Sequence, residues 1–167
     1  MSRGFVKDGD QEEVPLVPPR ADLPPGETNY VTRAGLEALL AEKEAMLNEI
    51  SHLSTINENE HRIASNYLHA KLQLLLDRIA SAKVIELSDQ PRDEVRFGAK
   101  VSLQTEDSRK PQQFQIVGVD EADLAKGKIA FVAPIARLLM RKKVGDKAIL
   151  KLANGNRVFK IVGITYD

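Results

Sequence analysis

The chain has 167 residues, 24 Lys and Arg balanced by 24 Asp and Glu, no Cys and no Trp. That length holds one or two small domains and excludes a large multidomain enzyme, while the lack of cysteine excludes disulfides, thiolate metal sites and a cysteine nucleophile. No apolar run approaches the roughly 18 to 20 residues of a membrane span, and the start MSRGFVKDGDQEE is too polar for a signal peptide, so a cytoplasmic location away from membranes is expected.

The balanced charge hides an uneven distribution. Residues 1–32 hold 3 basic and 6 acidic side chains, residues 33–92 hold 7 and 9, and residues 93–167 hold 14 and 9. The basic C-terminal third is suited to an acidic partner surface or a nucleic-acid backbone without requiring either.

Five of the eight prolines lie between Pro15 and Pro25, where no apolar periodicity is present and extended backbone is favoured. Residues 1–29 read as an arm or linker: either a solvated tail or a strap that packs Val14, Leu16 and Val17 on the body. At Thr32 a capping hydroxyl precedes Leu36, Leu40, Met46, Leu47, Ile50 and Leu53, spaced for one face of a helix. A second helical pattern runs through Ile63, Tyr67, Ala70, Leu74, Leu75 and Ile79 to about Ser81, with the polar interval Asn57–His61 between them. Two helices joined by so short a turn must be antiparallel. Residues 33–60 carry 2 basic and 6 acidic groups and residues 61–83 carry 4 and 1, a complementarity that suits a coiled-coil pair over residues 30–87. Such a hairpin either projects as a finger or serves oligomerisation.

Beyond Val84 the period falls to two. Strands are expected at Lys83–Leu87, Lys100–Gln104, Gln112–Val119, Ile129–Phe131, Lys147–Leu152 and Arg157–Thr165, with turns at Glu106-Asp107-Ser108 and Asn154-Gly155-Asn156. Pro134–Met140 reads as one short helix opened by proline. The expected architecture is α+β: an N-terminal antiparallel helical hairpin, then a small antiparallel β domain with one short helix over residues 88–167.

Four segments in order, Arg96-Phe97-Gly98-Ala99-Lys100-Val101, Phe114 to Asp123, Ala133-Pro134-Ile135-Ala136-Arg137 and Lys142-Lys143-Val144-Gly145-Asp146, resemble the C-terminal domain of the GreA/GreB bacterial transcription elongation factors. The helical part matches chiefly at Tyr30 to Leu36, so the resemblance covers about residues 30–167. It implies an FKBP-like C-terminal domain that docks on RNA polymerase and a coiled coil that enters the secondary channel. It further implies a monomeric factor with no cofactor of its own, which meets nascent RNA or DNA only indirectly, through the elongation complex.

In that family an Asp and a Glu three residues apart at the coil tip help hold a Mg²⁺ in the polymerase active site, where hard oxygen ligands suit the ion. Here Thr55 falls on the Asp position when Glu58-Asn59 is matched to the family Glu-Asn; matching Tyr67 to the motif tyrosine instead puts Glu60 and Ile63 on the two acid positions. Counting to the middle of the hairpin puts the turn near residue 60, with Glu58 and Glu60 as its acidic pair: metal-facing candidates, or solubilising groups. By the same count each arm is about two turns, or about 10 Å, shorter than in the cleavage factors. The resemblance places Asp120, Glu121, Asp123, Pro134, Ile135 and Arg137 at or beside the polymerase-docking surface; as local chemistry the acids also read as a solvated turn. Ala133 replaces the usual Ser of the motif, and Leu138 a small residue.

His52, His61 and His69 lack the i, i+4 spacing of a helical metal pair, and no phosphate-cradling loop or nucleophile motif is present. The expected protein is therefore not an enzyme; at most it stimulates cleavage by polymerase itself. The rival reading is an FKBP-like adaptor or peptidyl-prolyl isomerase with an oligomerising hairpin, which the 5% aromatic content disfavours.

Overall fold

The computed structural model describes residues 15–167; Val14 and the rest of the expected arm before it lie outside this range. Helix α1, Arg33–Ser51, starts where Thr32, in extended conformation, accepts the Gly35 N–H on its hydroxyl at 2.9 Å, satisfying one of the orphan donors of a helix start. Helix α2, Glu58–Ser81, starts at Asn57, whose Oδ1 accepts the amides of Asn59 and Glu60. The reversal therefore occupies residues 52–57, and the interval Asn57–His61 expected as the break is a cap followed by the first helical turn. At 1.5 Å per residue the arms are about 28 and 36 Å long.

The seam between the helices is built from Leu39 and Met46 of α1 and Leu68, Leu72 and Leu75 of α2, with Leu36, Ile50 and Ile79 partly buried against them. These positions repeat in sevens, as a coiled-coil seam requires. Leu40, Leu47, Ile63 and Leu74, assigned to the seam from sequence, are instead exposed. Each of the first two sits next to a seam residue, at Leu39-Leu40 and Met46-Leu47, so spacing alone allows either phase.

A parallel pair of two-residue strands closes the base of the hairpin: β1, Tyr30–Val31, precedes α1, and β2, Lys83–Val84, follows α2, with Tyr30 opposite Lys83 and Val31 opposite Val84. Strand β1 has no period of its own to reveal it, and β2 is shorter than the strand expected there.

The remaining strands, β3 (Lys100–Thr105), β4 (Gln112–Val117), β5 (Lys128–Ala130), β6 (Lys147–Leu152) and β7 (Gly155–Thr165), form one sheet in the order β5-β4-β3-β7-β6. Three of its pairings are antiparallel, but β5 runs parallel to β4, so the sheet is mixed rather than wholly antiparallel. The cause is the connection over residues 118–127. It holds a 3₁₀ turn at Leu124–Lys126, capped by Asp123, and reverses at Gly127 with φ +70, which carries the chain back to start β5 beside Gln115. Helix α3, Pro134–Leu139, has proline in its first turn and buries Ala136 and Leu139 against a core that includes Val95, Val101, Leu103, Ile116 and Ile161. Tyr30 joins Phe97 and Phe131 in an aromatic trio with centroids 5.6 to 5.9 Å apart, so hairpin base and sheet share one apolar contact. Among the described residues, no helix is long and apolar enough to cross a membrane.

Candidate functional site: the hairpin tip and the acidic corner

The tip is polar backbone held by local bonds. His61 donates from Nδ1 to the Ser54 carbonyl at 3.0 Å, and Arg62 donates to Asn59 at 2.8 Å. Thr55, Glu58 and Glu60 are exposed, and Ile56 is 96% exposed. Both glutamates lie within the first turn of α2, where each favours the positive end of the helix dipole. Two residues apart on a helix they are about 200° apart around the axis, so their carboxylates diverge. Among the described residues no group of three His, Cys, Asp or Glu side chains is placed to hold a metal ion. As a convergent pair of ligands for an added Mg²⁺, Glu58 and Glu60 do not fit.

The acidic corner is organised inward. Asp120, with its side chain 7% exposed, receives Arg20 Nε of the arm at 2.9 Å and Arg78 Nη1 of α2 at 3.0 Å. Arg20 also forks onto both carboxylate oxygens of Glu42 in α1, at 2.6 and 3.1 Å, and Arg78 donates to the Ala21 carbonyl. Asp120 of the sheet domain thus binds arm and α2 directly, and α1 is joined to it through Arg20 and Glu42. The Glu42 hydrogen bonds, then those to Asp120, raise the Arg20 pKa above its ordinary value against the opposing effect of burial.

Glu121 accepts the Thr32 hydroxyl at 2.7 Å, and Lys128 lies 3.7 Å from its other oxygen. The same hydroxyl caps α1, so Glu121 sits at the positive end of that helix. A Cβ on Gly35 would come within 2.6 Å of Glu121 Oε2, and one on Gly118 within 2.6 Å of the Tyr30 carbonyl; the absence of both side chains allows the corner to seat on the hairpin base. Of the three acids, only Asp123 is exposed, and it bonds the Ala125 amide.

The residues around α3 divide similarly. Ile135 is half-buried against the core, and Arg137 reaches Glu27 of the arm at 2.9 Å and the Val132 carbonyl at 2.9 Å. Pro134, Arg137, Leu138, Val132, Ile149 and Lys151 line an open, largely apolar groove of about 460 Å³. The six positions expected at a docking surface therefore do not form one patch: Asp123, Pro134 and Arg137 face outward, whereas Asp120 and Glu121 hold the molecule together. Arg20 and Glu27, which bind two of the six, carry no sequence signal, because each partner is about a hundred residues away.

A helical hairpin closed at its base by β1 and β2 and seated on a mixed five-stranded sheet domain, with an open groove beside α3, defines a two-part α+β protein. Residues 90–166 match the family described as transcription elongation factor GreA/GreB, C-terminal. The chain is 33% identical over 126 residues to the transcription elongation factor GreA of Maricaulis maris, spanning 73% of this chain and 80% of that one. It is 36% identical over 103 residues to GreA of Sinorhizobium medicae, 62% of this chain and 65% of that one. Among solved structures, a GreA/GreB factor from Nitrosomonas europaea aligns over 84% of this chain and 99% of its own at 20% identity and a TM-score of 0.42. The chain belongs to the GreA/GreB family of transcription elongation factors.

Proposed function

We propose that this protein works in the cytoplasm as an elongation regulator that binds RNA polymerase through the outward part of its C-terminal domain, Asp123, Pro134, Arg137 and the groove beside them, and inserts the helical hairpin into the secondary channel. The observation that carries this reading is the 33% identity to an elongation factor over 126 residues. The tip qualifies the mode of action. With Thr55 uncharged and Glu58 and Glu60 diverging on a helix, the finger acts by occupying the channel and altering pausing or substrate access, not by delivering a pair of carboxylates to a metal.

The test combines a pull-down on core polymerase with cleavage in stalled elongation complexes containing Mg²⁺. Binding with little or no stimulated cleavage is the expected result, unchanged when Glu58 and Glu60 are both replaced by Ala. Robust cleavage that vanishes in the double variant would refute the occupancy mechanism, and failure to bind polymerase would refute the whole reading.

A further inference from the structure

The arm before the hairpin is held in two different ways. From Leu23 onward it is fixed. Leu23 packs on the sheet core, and buried Asn29 donates to the Arg78 carbonyl and the Ser81 hydroxyl while its own carbonyl accepts the Lys83 amide. Residues 15–21, by contrast, belong to no helix or strand. They cross one flank of the hairpin, where Val17, Pro18 and Pro19 border a cavity together with Met46 of α1 and Lys71 and Leu74 of α2.

This crossing segment is held by charge rather than by burial. Leu16 is 94% exposed, and neither Leu16 nor Val17 belongs to either apolar cluster. The ties are Arg20 on Glu42 and Asp120, and the Ala21 carbonyl on Arg78. Glu42 is exposed, and ion pairs to exposed partners contribute little. What lies beneath is complete without the segment: Leu39, Leu72 and Leu75 form the seam between themselves, and Asp120 keeps Arg78 when Arg20 leaves. Pro15, Pro18 and Pro19 stiffen the chain, so little entropy is lost each time it closes again. A weakly held, stiff segment over a self-sufficient surface is built to leave and return.

Its position gives that movement a consequence. Met46 lies about 20 Å along α1 from Arg33, which leaves only about 8 Å of helix beyond the crossing. An extended chain laid on one flank thickens the two-helix finger there by about 5 Å. We infer that residues 15–21 are a releasable strap that limits how far the hairpin enters a narrow channel, and that entry beyond the crossing requires the strap to come away. This regulation rests on the polymerase reading above, whereas the release of the strap does not.

The chain has no cysteine, so cysteines placed at Pro18 and Lys71 carry spin labels at defined sites in the full chain, and pulsed dipolar spectroscopy reads their separation. The free protein should show chiefly a short separation. Arg20→Gln in that background should raise the ratio of long to short separations at least about fivefold, with an unchanged circular dichroism spectrum. An unchanged ratio overturns the strap. Excess core polymerase should convert the bound protein to the long separation, and bound protein that keeps the short one overturns the link to entry. Joining the two cysteines with a short bis-maleimide should weaken polymerase binding at least about tenfold relative to singly capped protein, because one of two linked contacts is lost. Equal affinity of the joined and capped forms also overturns that link. Failure of every form to bind polymerase refutes the polymerase reading instead, and the strap then stands or falls on the Arg20→Gln ratio.

Discussion

Arg20 and Asp120, one hundred residues apart in the chain, meet at 2.9 Å, and Arg78 closes on the second oxygen of the same carboxylate at 3.0 Å. The corner that resembles a docking loop is thereby the point where arm, hairpin and sheet domain are tied to one another.

Removal of the shared anion should cost more than removal of either cation. Asp120→Ala leaves two largely desolvated guanidiniums facing each other and is expected to lower stability by about 2–4 kcal/mol, whereas Arg20→Ala leaves Asp120 neutralised by Arg78 and should cost about 1 kcal/mol. Urea unfolding of the two variants checks the order. Equal losses would mean that the carboxylate does not bridge the two arginines.

Gly35→Ala ordinarily gains up to about 1 kcal/mol within a helix. Here the added Cβ would meet Glu121 Oε2 at 2.6 Å, so a net loss of about 1–2 kcal/mol is expected. In the background of Glu121→Ala the loss should shrink, because sites in contact are not additive. A double-mutant cycle by thermal unfolding gives the answer, and strict additivity would contradict the contact.

The Tyr166 hydroxyl donates to the Glu94 carbonyl at 2.5 Å and accepts the Arg96 amide at 2.7 Å. Tyr166→Phe should cost about 1–2 kcal/mol by stranding these groups. Burial raises the Tyr166 pKa above its ordinary value, so the folded state retains the proton where the unfolded chain has begun to lose it. This contribution is complete below the ordinary tyrosine value of about 10 and is lost as pH rises through the folded value. Wild type should therefore lose stability in alkali more steeply than the Phe variant, as denaturant midpoints across that range will show.

A fragment of residues 93–167 is expected to fold, since it contains the whole five-stranded sheet and α3, but with lower stability than the same residues in the full chain. It lacks Tyr30, which covers Phe97 and Phe131, and also Leu23, Ile85 and Leu87 from the core margin. Restoring residues 85–92 should recover part of the loss. An unfolded fragment would show that the sheet domain depends on the hairpin base.

Local signals in the sequence were reliable where one residue type has one structural use. Thr32 reads as a cap and is one, Pro134 opens a helix, and Lys147–Leu152 is a strand with the bounds expected. Ambiguity arose where one pattern serves two structures. Asn57 suits either a break or a cap, and the turn was consequently expected several residues too late, which displaced Glu58 and Glu60 from loop to helix. Leu39-Leu40 and Met46-Leu47 allow two seam phases, decided only by contact with α2. Alternation reveals a strand but not its direction, hence the unexpected parallel pairing of β5. The acidic corner was legible as a corner; its partners Arg20, Thr32 and Arg78 were not, because pairing over such separations is created by the fold alone.

The pairing of β1 with β2 makes residues 32–82 a closed excursion that leaves the body and returns to it at adjacent strands. Reach and anchorage are therefore separable. Deleting one heptad from each arm in register would retract the tip by about 10 Å while leaving Tyr30, Asp120 and the whole sheet in place, and inserting one would advance it equally. The finger can thus be treated as a ruler whose gradations are heptads, mounted on a base that does not sense its length.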